Sequence, residues 1–344
     1  MLTAASQVLL RNADYFEKGK WALVNPYDAA IFTHLDSADL IGLHQYHDQY
    51  SAALQTNRTQ YFAAAFELDS LLDGAVIYLP KAKQQLDMLI ANMRYLIKPG
   101  GQLMIVGENK AGIKSVDKLL QKHFQQVNKL DSAKHCALIC GELAKPAEGK
   151  FDISHYVVER SYQVNHESLV ICSLPGVFGH KQFDPGTQQL LAEFHASADA
   201  LVKLRGAVLD FACGTGIIGA YLAKANPKIN VVCSDVSALA IYCSERTFAR
   251  NQVNGEFIAS NGLQEVDMSF NAIITNPPFH TGIYTDYDIT REFIKVAHQQ
   301  TKKYGRLHLV ANRFLPYLDV LEAHYYKVNI MAQTNKYIVY EAIK

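Results

Sequence analysis

From Lys203 onward, apolar runs of strand length alternate with longer stretches whose apolar residues recur at helical spacing. "AVLDFA" reads as a buried strand and "GIIGAYLAKAN" as a helix, and "INVVCSD" with "VSALAIYCSERTFARN" repeats the pair. "EFIAS", "NAIITNPP" and "GRLHLVAN" continue as strands, with "TREFIKVAHQQTKK" and "YLDVLEAHY" as helices. This alternation predicts parallel strands with helices on both faces. The end breaks the pattern: "KVNIMAQT" and "KYIVYEAIK" are two strands around a short polar turn, a terminal hairpin that would add one antiparallel strand.

The first half carries a fainter copy of that finish. "GAVIYLPKAKQQLDMLIANMRYLIKPGGQLMIVGENKAGI" runs strand, turn, helix, turn, strand, and "HFQQVNKLDSAKHCALICGEL" parallels "HYYKVNIMAQTNKYIVYEAIK". A duplicated domain follows from this, with residues 1–148 and 149–344 as the two copies and "LAKPAEGK", Leu143 to Lys150, as the linker. Nothing between Leu2 and Leu72 matches the glycine-rich stretch of the second copy, and Leu79-Pro80-Lys81 replaces its Asn-Pro-Pro. The first copy is therefore degenerate.

That glycine-rich stretch is "LDFACGTGIIG", with Gly214, Gly216 and Gly219 between a strand and a helix. Such a turn lets the backbone approach a ligand closely. In a dehydrogenase it would receive a pyrophosphate. Asp210, at the strand end, would repel a pyrophosphate and suits a cationic ligand such as the amino group and sulfonium of S-adenosylmethionine. Asp235, ending the next strand, is placed to accept from both ribose hydroxyls, or else to cap the helix "VSALA". Asn261 could meet the adenine edge or be an ordinary turn residue.

The second motif is "TNPPF". Asn276 and Pro277 each precede a proline and are pushed toward extended backbone. Two prolines in succession remove two N–H donors, leaving the Asn276 side-chain oxygen and the Pro277 carbonyl as a stiff row of acceptors. Acceptors of this kind grip the two hydrogens of an exocyclic amine and stabilise the positive charge that develops as its nitrogen attacks a methyl sulfonium. Phe279 can stack on a flipped base, and the alternative reading of Asn276, Pro277, Pro278 and Phe279 is a rigid turn after a strand. The alkylated amine is acidic, so no strong general base is needed. His280 is the nearest titratable neighbour, and a structural role suits it better.

Composition narrows the alternatives. The 344 residues are 49% hydrophobic and 19% charged, enough apolar content for two folded domains. Lys plus Arg and Asp plus Glu are 33 each, so polyanion binding must come from a local patch. Lys110, Lys114, Lys118 and Lys122 recur every fourth residue and would form one basic stripe on a helix, either a solvated face or an RNA contact. Arg313 is a second candidate. The six cysteines lack Cys-x-x-Cys spacing and the histidines lack metal spacing, so no metal is expected. The absence of a long apolar run or basic leader predicts a cytoplasmic protein without membrane contact.

Beyond these readings, the chain resembles the ribosomal RNA small subunit methyltransferase C family. "SQVLLRNADYFEKG", "VGENKAGIKSV", "LPGVF", "FDPGTQQLL", "VLDFACGTGIIG", "DVSALA", "ASNGL", "NPPFH" and "VANRFLPY" carry the resemblance over nearly the whole length. It implies two tandem class I, Rossmann-like methyltransferase domains, each a mostly parallel seven-stranded sheet with a C-terminal antiparallel hairpin. Only the second would bind S-adenosylmethionine, through Asp210, Gly214, Gly216, Asp235 and Asn261. Asn276 to Phe279 would form the target pocket. The implied reaction is methylation of N2 of guanine 1207 in 16S ribosomal RNA within the 30S subunit, by a monomer. In the related enzymes a segment such as "FDPGTQQLL" covers the cofactor, and here it is either that lid or a plain helix-starting turn. Ala212 stands where many relatives have glycine. A sister family acting on 23S ribosomal RNA shares most of these motifs. Adenine-N6 DNA methyltransferases and release-factor glutamine methyltransferases use related pockets, and a non-catalytic RNA-binding assembly factor is the contrasting class.

Overall fold

The structure is a computed structural model that describes residues 2–37, 39–196, 198–277 and 285–344. Two compact units divide it, Met1–Tyr156 and Val157–Lys344.

The first unit is built on β1 (Lys20–Val24), β2 (Asp39–His44), β3 (Gln60–Phe62), β4 (Leu72–Tyr78), β5 (Ile97–Glu108), β6 (Gln125–Ala133) and β7 (Cys136–Glu142), in the order β3-β2-β1-β4-β5-β7-β6. The second opens with a hairpin, β8 (Val158–Val164) and β9 (Glu167–Ser173). A second sheet follows: β10 (Gly206–Phe211), β11 (Ile229–Asp235), β12 (Glu256–Ala259), β13 (Phe270–Thr275), β14 (Thr301–Asn312), β15 (Lys327–Gln333) and β16 (Tyr337–Ile343). Its order is β12-β11-β10-β13-β14-β16-β15, strand for strand that of the first. In each sheet the last strand in chain order runs antiparallel between two neighbours, as the terminal hairpin predicts.

The duplication extends to register. Val24 pairs with Ile77 as Phe211 pairs with Thr275, and Val24 pairs with Leu43 as Phe211 pairs with Ser234. The same irregularity precedes Gly74 and Ala272. Counting from these pairs, Leu23 takes the step of Asp210, Asn25 that of Ala212, His44 that of Asp235 and Tyr78 that of Asn276. The sequence motifs set Leu79 opposite Asn276; the strand register corrects this by one residue, because Ile77 takes the step of Thr275.

Each of these exchanges removes chemistry. Leu23 is apolar and fully buried. His44 is buried against Gln60 Oε1 at 2.7 Å, and burial holds its pKa below the usual histidine range, so it is neutral. The Tyr78 hydroxyl shares a 2.8 Å hydrogen bond with Ser6 Oγ. Asn25 and Gln45 tie the ends of β1 and β2 together, Gln45 N donating to Asn25 Oδ1 at 2.7 Å.

The lysine stripe does not survive as drawn. Gly112, at φ +96°, separates two 3-10 turns, and the only α-helical turns there are Asp117–Leu120. Lys110 pairs with Glu108 and Lys122 with Asp87, whereas Lys114 lines an open groove with Lys129, Asn128 and Ser132. Four-residue spacing forms a stripe only on an unbroken helix, and a glycine in the left-handed region ends one.

All six cysteines are buried and free. Among the described residues, no group of three or more potential ligands could hold a metal, and no helix is long and apolar enough to cross a membrane.

Candidate functional site

The site grows from the carboxyl end of β10, where the strand order reverses direction and a crevice opens. After Phe211 the chain turns through Ala212 (φ +55°), Gly214 (φ +56°) and Gly216 (φ +74°) into the helix Ile217–Ala225. The three motif glycines do different work. A Cβ on Gly216 would meet the Oγ, Cα and Cβ of Ser244 at 2.8–2.9 Å. One on Gly219 would meet Cys233 Sγ at 2.8 Å. Both let the helix pack closely. Gly214 is the motif glycine that lines the cavity.

Asp210 lies beneath this loop and is fully buried. Its Oδ2 accepts from Gly219 N at 2.8 Å, while Oδ1 is buried without a hydrogen-bond partner. Burial pushes its pKa up to about 8; the Gly219 hydrogen bond opposes that and the nearby Asp235 charge adds to it. Asp235 Oδ2 accepts from Gly214 N and Oδ1 from Ser237 N, both at 2.9 Å. Burial raises its pKa too, against those hydrogen bonds. The N-cap of the helix Ala238–Arg250 is Ser237, whose Oγ accepts from Ala240 N, so capping does not account for Asp235.

These bonds engage three N–H donors of the glycine loop, which disfavours a pyrophosphate on them. A pyrophosphate needs unoccupied N–H donors at the helix N-terminus. Here Gly214 N is taken by Asp235, Gly216 N by the Cys213 carbonyl and Gly219 N by Asp210. Two carboxyl groups, one with an unpartnered buried oxygen that a cationic ligand would draw into its ionised form, make the crevice a place for positive charge. The residues present fit S-adenosylmethionine: Asp210 would face its cationic part, Asp235 its ribose, and Gly214 would allow its close approach.

Asn276 follows β13, the strand beside β10. It lines the same cavity as Gly214, together with Phe178, Phe183, Asp184, Thr187 and Ala212. Its Nδ2 donates to Asp184 Oδ1 at 2.7 Å and to Thr187 Oγ1 at 2.9 Å. Pro277 is buried behind it. Pro278, Phe279 and His280 lie outside the described residues. Asn261 sits exposed in the turn after β12, its N–H donating to Glu265 Oε2 at 2.9 Å. It neighbours Asp235 through Ser260, whose N–H donates to the Asp235 carbonyl. The cavity thus joins Gly214 to Asn276, while Asp210, Gly216, Asp235 and Asn261 support it or flank it.

Asp184 and Thr187 were not singled out by the sequence. They belong to "FDPGT", where Asp184 begins the helix Pro185–Ala196 and accepts from Thr187 N at 2.9 Å. Asp before Pro at a helix start is a legible cap signature. That the cap also reaches Asn276, 92 residues away, is not legible. The β8–β9 hairpin was missed as well. It is held on the helix Ala238–Arg250 by Cys172 N to Thr247 Oγ1 at 3.0 Å and Val170 N to Asn251 Oδ1 at 2.9 Å.

Comparison with known proteins agrees with this architecture. The family described as Methyltransferase small domain matches residues 168–341, and Methyltransferase small domain N-terminal matches residues 6–159. The ribosomal RNA small subunit methyltransferase C of Pseudoalteromonas atlantica is 47% identical, with 99% of each chain covered. That of Shewanella pealeana is 37% identical over the full length of both. Among solved structures, the T. thermophilus 16S rRNA N2 G1207 methyltransferase, in complex with AdoMet and guanosine, superposes with a TM-score of 0.84 at 20% identity. The match covers 99% of this chain and 92% of that one, a likeness of fold.

Proposed function

Since the chain belongs to the ribosomal RNA small subunit methyltransferase C family, we propose that it methylates the exocyclic N2 of a guanine in 16S ribosomal RNA, position 1207, in the assembled 30S subunit. S-adenosylmethionine supplies the methyl group as an electrophilic sulfonium. Residues 149–344 would carry the reaction and residues 1–148 would position the RNA.

The observation that carries this reading is the orientation of Asn276. With its amide nitrogen facing Asp184 and Thr187, its oxygen is left as the acceptor toward the target. Asn276 Oδ1 and the Pro277 carbonyl would take the two hydrogens of the guanine amino group and hold its nitrogen in line for attack. As that nitrogen becomes positive, the same oxygens stabilise it, and the alkylated amine then releases a proton to solvent. Phe279 would stack on the flipped base. The name of the T. thermophilus protein, solved with guanosine, supports guanine as the base.

The test is transfer of tritiated methyl groups to small subunits lacking the modification, followed by mapping of the nucleotide. Wild-type protein should label one guanine at N2, and Asn276→Ala should abolish labelling while still binding S-adenosylmethionine. Labelling of 50S subunits instead would favour the large-subunit sister reaction. Undiminished turnover in Asn276→Ala would refute the role of the amide.

A further inference from the structure

An asparagine amide has two ends of nearly equal shape and opposite hydrogen-bonding sense. Presented backwards, Asn276 would set N–H donors against the N–H donors of an amino substrate. Something must fix the flip, and two groups on another element do so.

Asp184 is a carboxylate and can only accept, so the end of Asn276 at 2.7 Å from Oδ1 is the nitrogen. The second hydrogen of that nitrogen goes to Thr187 Oγ1 at 2.9 Å, and Thr187 Oγ1 passes its own hydrogen to Asp184 Oδ1 at 3.3 Å. Both donors of the Asn276 amide are thereby engaged, and its oxygen is the one hydrogen-bonding atom left. Room for this cluster depends on Gly186, where a Cβ would stand 3.0 Å from Asp184 Oδ1 and 3.5 Å from Asn276 Nδ2. Thr187 is 5% exposed, so water competes little for these bonds.

We propose that Asp184 and Thr187 are positioning residues, which lock the Asn276 amide so that its oxygen meets the target amine. This rests on the reading that Asn276 accepts from that amine. It gives "FDPGT" a task separate from starting a helix or covering the cofactor: the N-cap of one helix sets the polarity of a catalytic side chain on a distant strand.

Two substitutions separate the tasks. Asp184→Ser keeps an oxygen for the cap but is too short to reach Asn276. Asp184→Asn keeps an acceptor at the Oδ1 position for both Thr187 N and Asn276. With saturating S-adenosylmethionine, Asp184→Ser should lower kcat by about tenfold to a hundredfold, with an unchanged melting temperature. Asp184→Asn should restore kcat to within about threefold of wild type. Wild-type kcat in Asp184→Ser, or an equal loss in Asp184→Asn, would each overturn the proposal. An active Asp184→Ser beside a dead Asn276→Ala would sink only this inference. A fully active Asn276→Ala would sink the reading beneath it.

Discussion

The backbone N–H of Gly214 donates to Oδ2 of Asp235 at 2.9 Å, so the end of β11 holds the glycine loop that follows β10. Asp235 is only partly buried, and its oxygens retain lone pairs for a further ligand. Asp235→Ala should therefore act twice. It would remove the carboxylate proposed to meet the ribose and untie Gly214, raising the cofactor dissociation constant by about tenfold to a hundredfold, the worth of a hydrogen bond to a charged group. Isothermal titration measures this. Unchanged affinity would exclude Asp235 from the cofactor site.

Ala212 bears a strain that its counterpart avoids. Its φ of +55° lies in the left-handed region, and the first copy places Asn25 at the same step with φ +51°. Asparagine tolerates that region and alanine does not. Ala212→Gly should stabilise the protein by about 0.5–1 kcal/mol after the entropy of a freer unfolded chain is subtracted, raising Tm by about 1–4 °C. Tyr304, at φ +64°, occupies the step of Gly100 at φ +76°. There the gain from glycine should be smaller, because Lys303 Nζ lies 5.0 Å from the tyrosine ring centroid and that contact is lost. Differential scanning calorimetry ranks the two; a lower Tm for Ala212→Gly would contradict the strain.

Asp210 sets a pH dependence opposite to that of an ordinary salt-bridged carboxylate. Burial raises its pKa from 3.8 to about 8, so the folded state binds a proton that the unfolded state has released. Its contribution to stability is complete below about pH 4 and is lost as pH rises through about 8. Urea unfolding of the cofactor-free protein between about pH 5 and 8 should show this decline, and Asp210→Asn should flatten it. A profile identical in the two proteins would show that Asp210 is ionised throughout. Where the cofactor's positive charge meets this carboxylate, binding near neutral pH should also release a proton, which calorimetry in two buffers detects.

The broken lysine stripe narrows the search for RNA contacts in the first unit. Lys114 and Lys129 share a groove with Asn109, Asp117, Asn128 and Ser132, whereas Lys110 and Lys122 form ion pairs with Glu108 and Asp87. Changing Lys114 and Lys129 to Glu should weaken binding to the RNA substrate and reduce the slope of log affinity against log salt by about two. The Lys110→Glu control should change less. Equal salt slopes in all three proteins would remove this groove from the RNA path.

The sequence alone determined the layering and marked the strand ends at which the candidate site lies. Strand-length apolar runs alternating with helical periodicity specify parallel strands under helices, and the terminal hairpin inserts one antiparallel strand. Both follow from local patterns, because side-chain period is set by backbone geometry within a few residues. Asp210, Gly214 and Asn276 were legible for the same reason, each lying at a strand end that its own apolar run marks. Distance along the chain hid the rest. That Gly216 and Gly219 serve packing and that the Gly214 N–H is already taken are facts of contact between elements, and that Tyr78 rather than Leu79 matches Asn276 is a fact of strand register. Only the folded sheet decides them. The polarity of the Asn276 amide depends on Asp184 from another helix, and no local pattern carries it, since hydrogen bonds between distant side chains form only where packing brings them within about 3 Å.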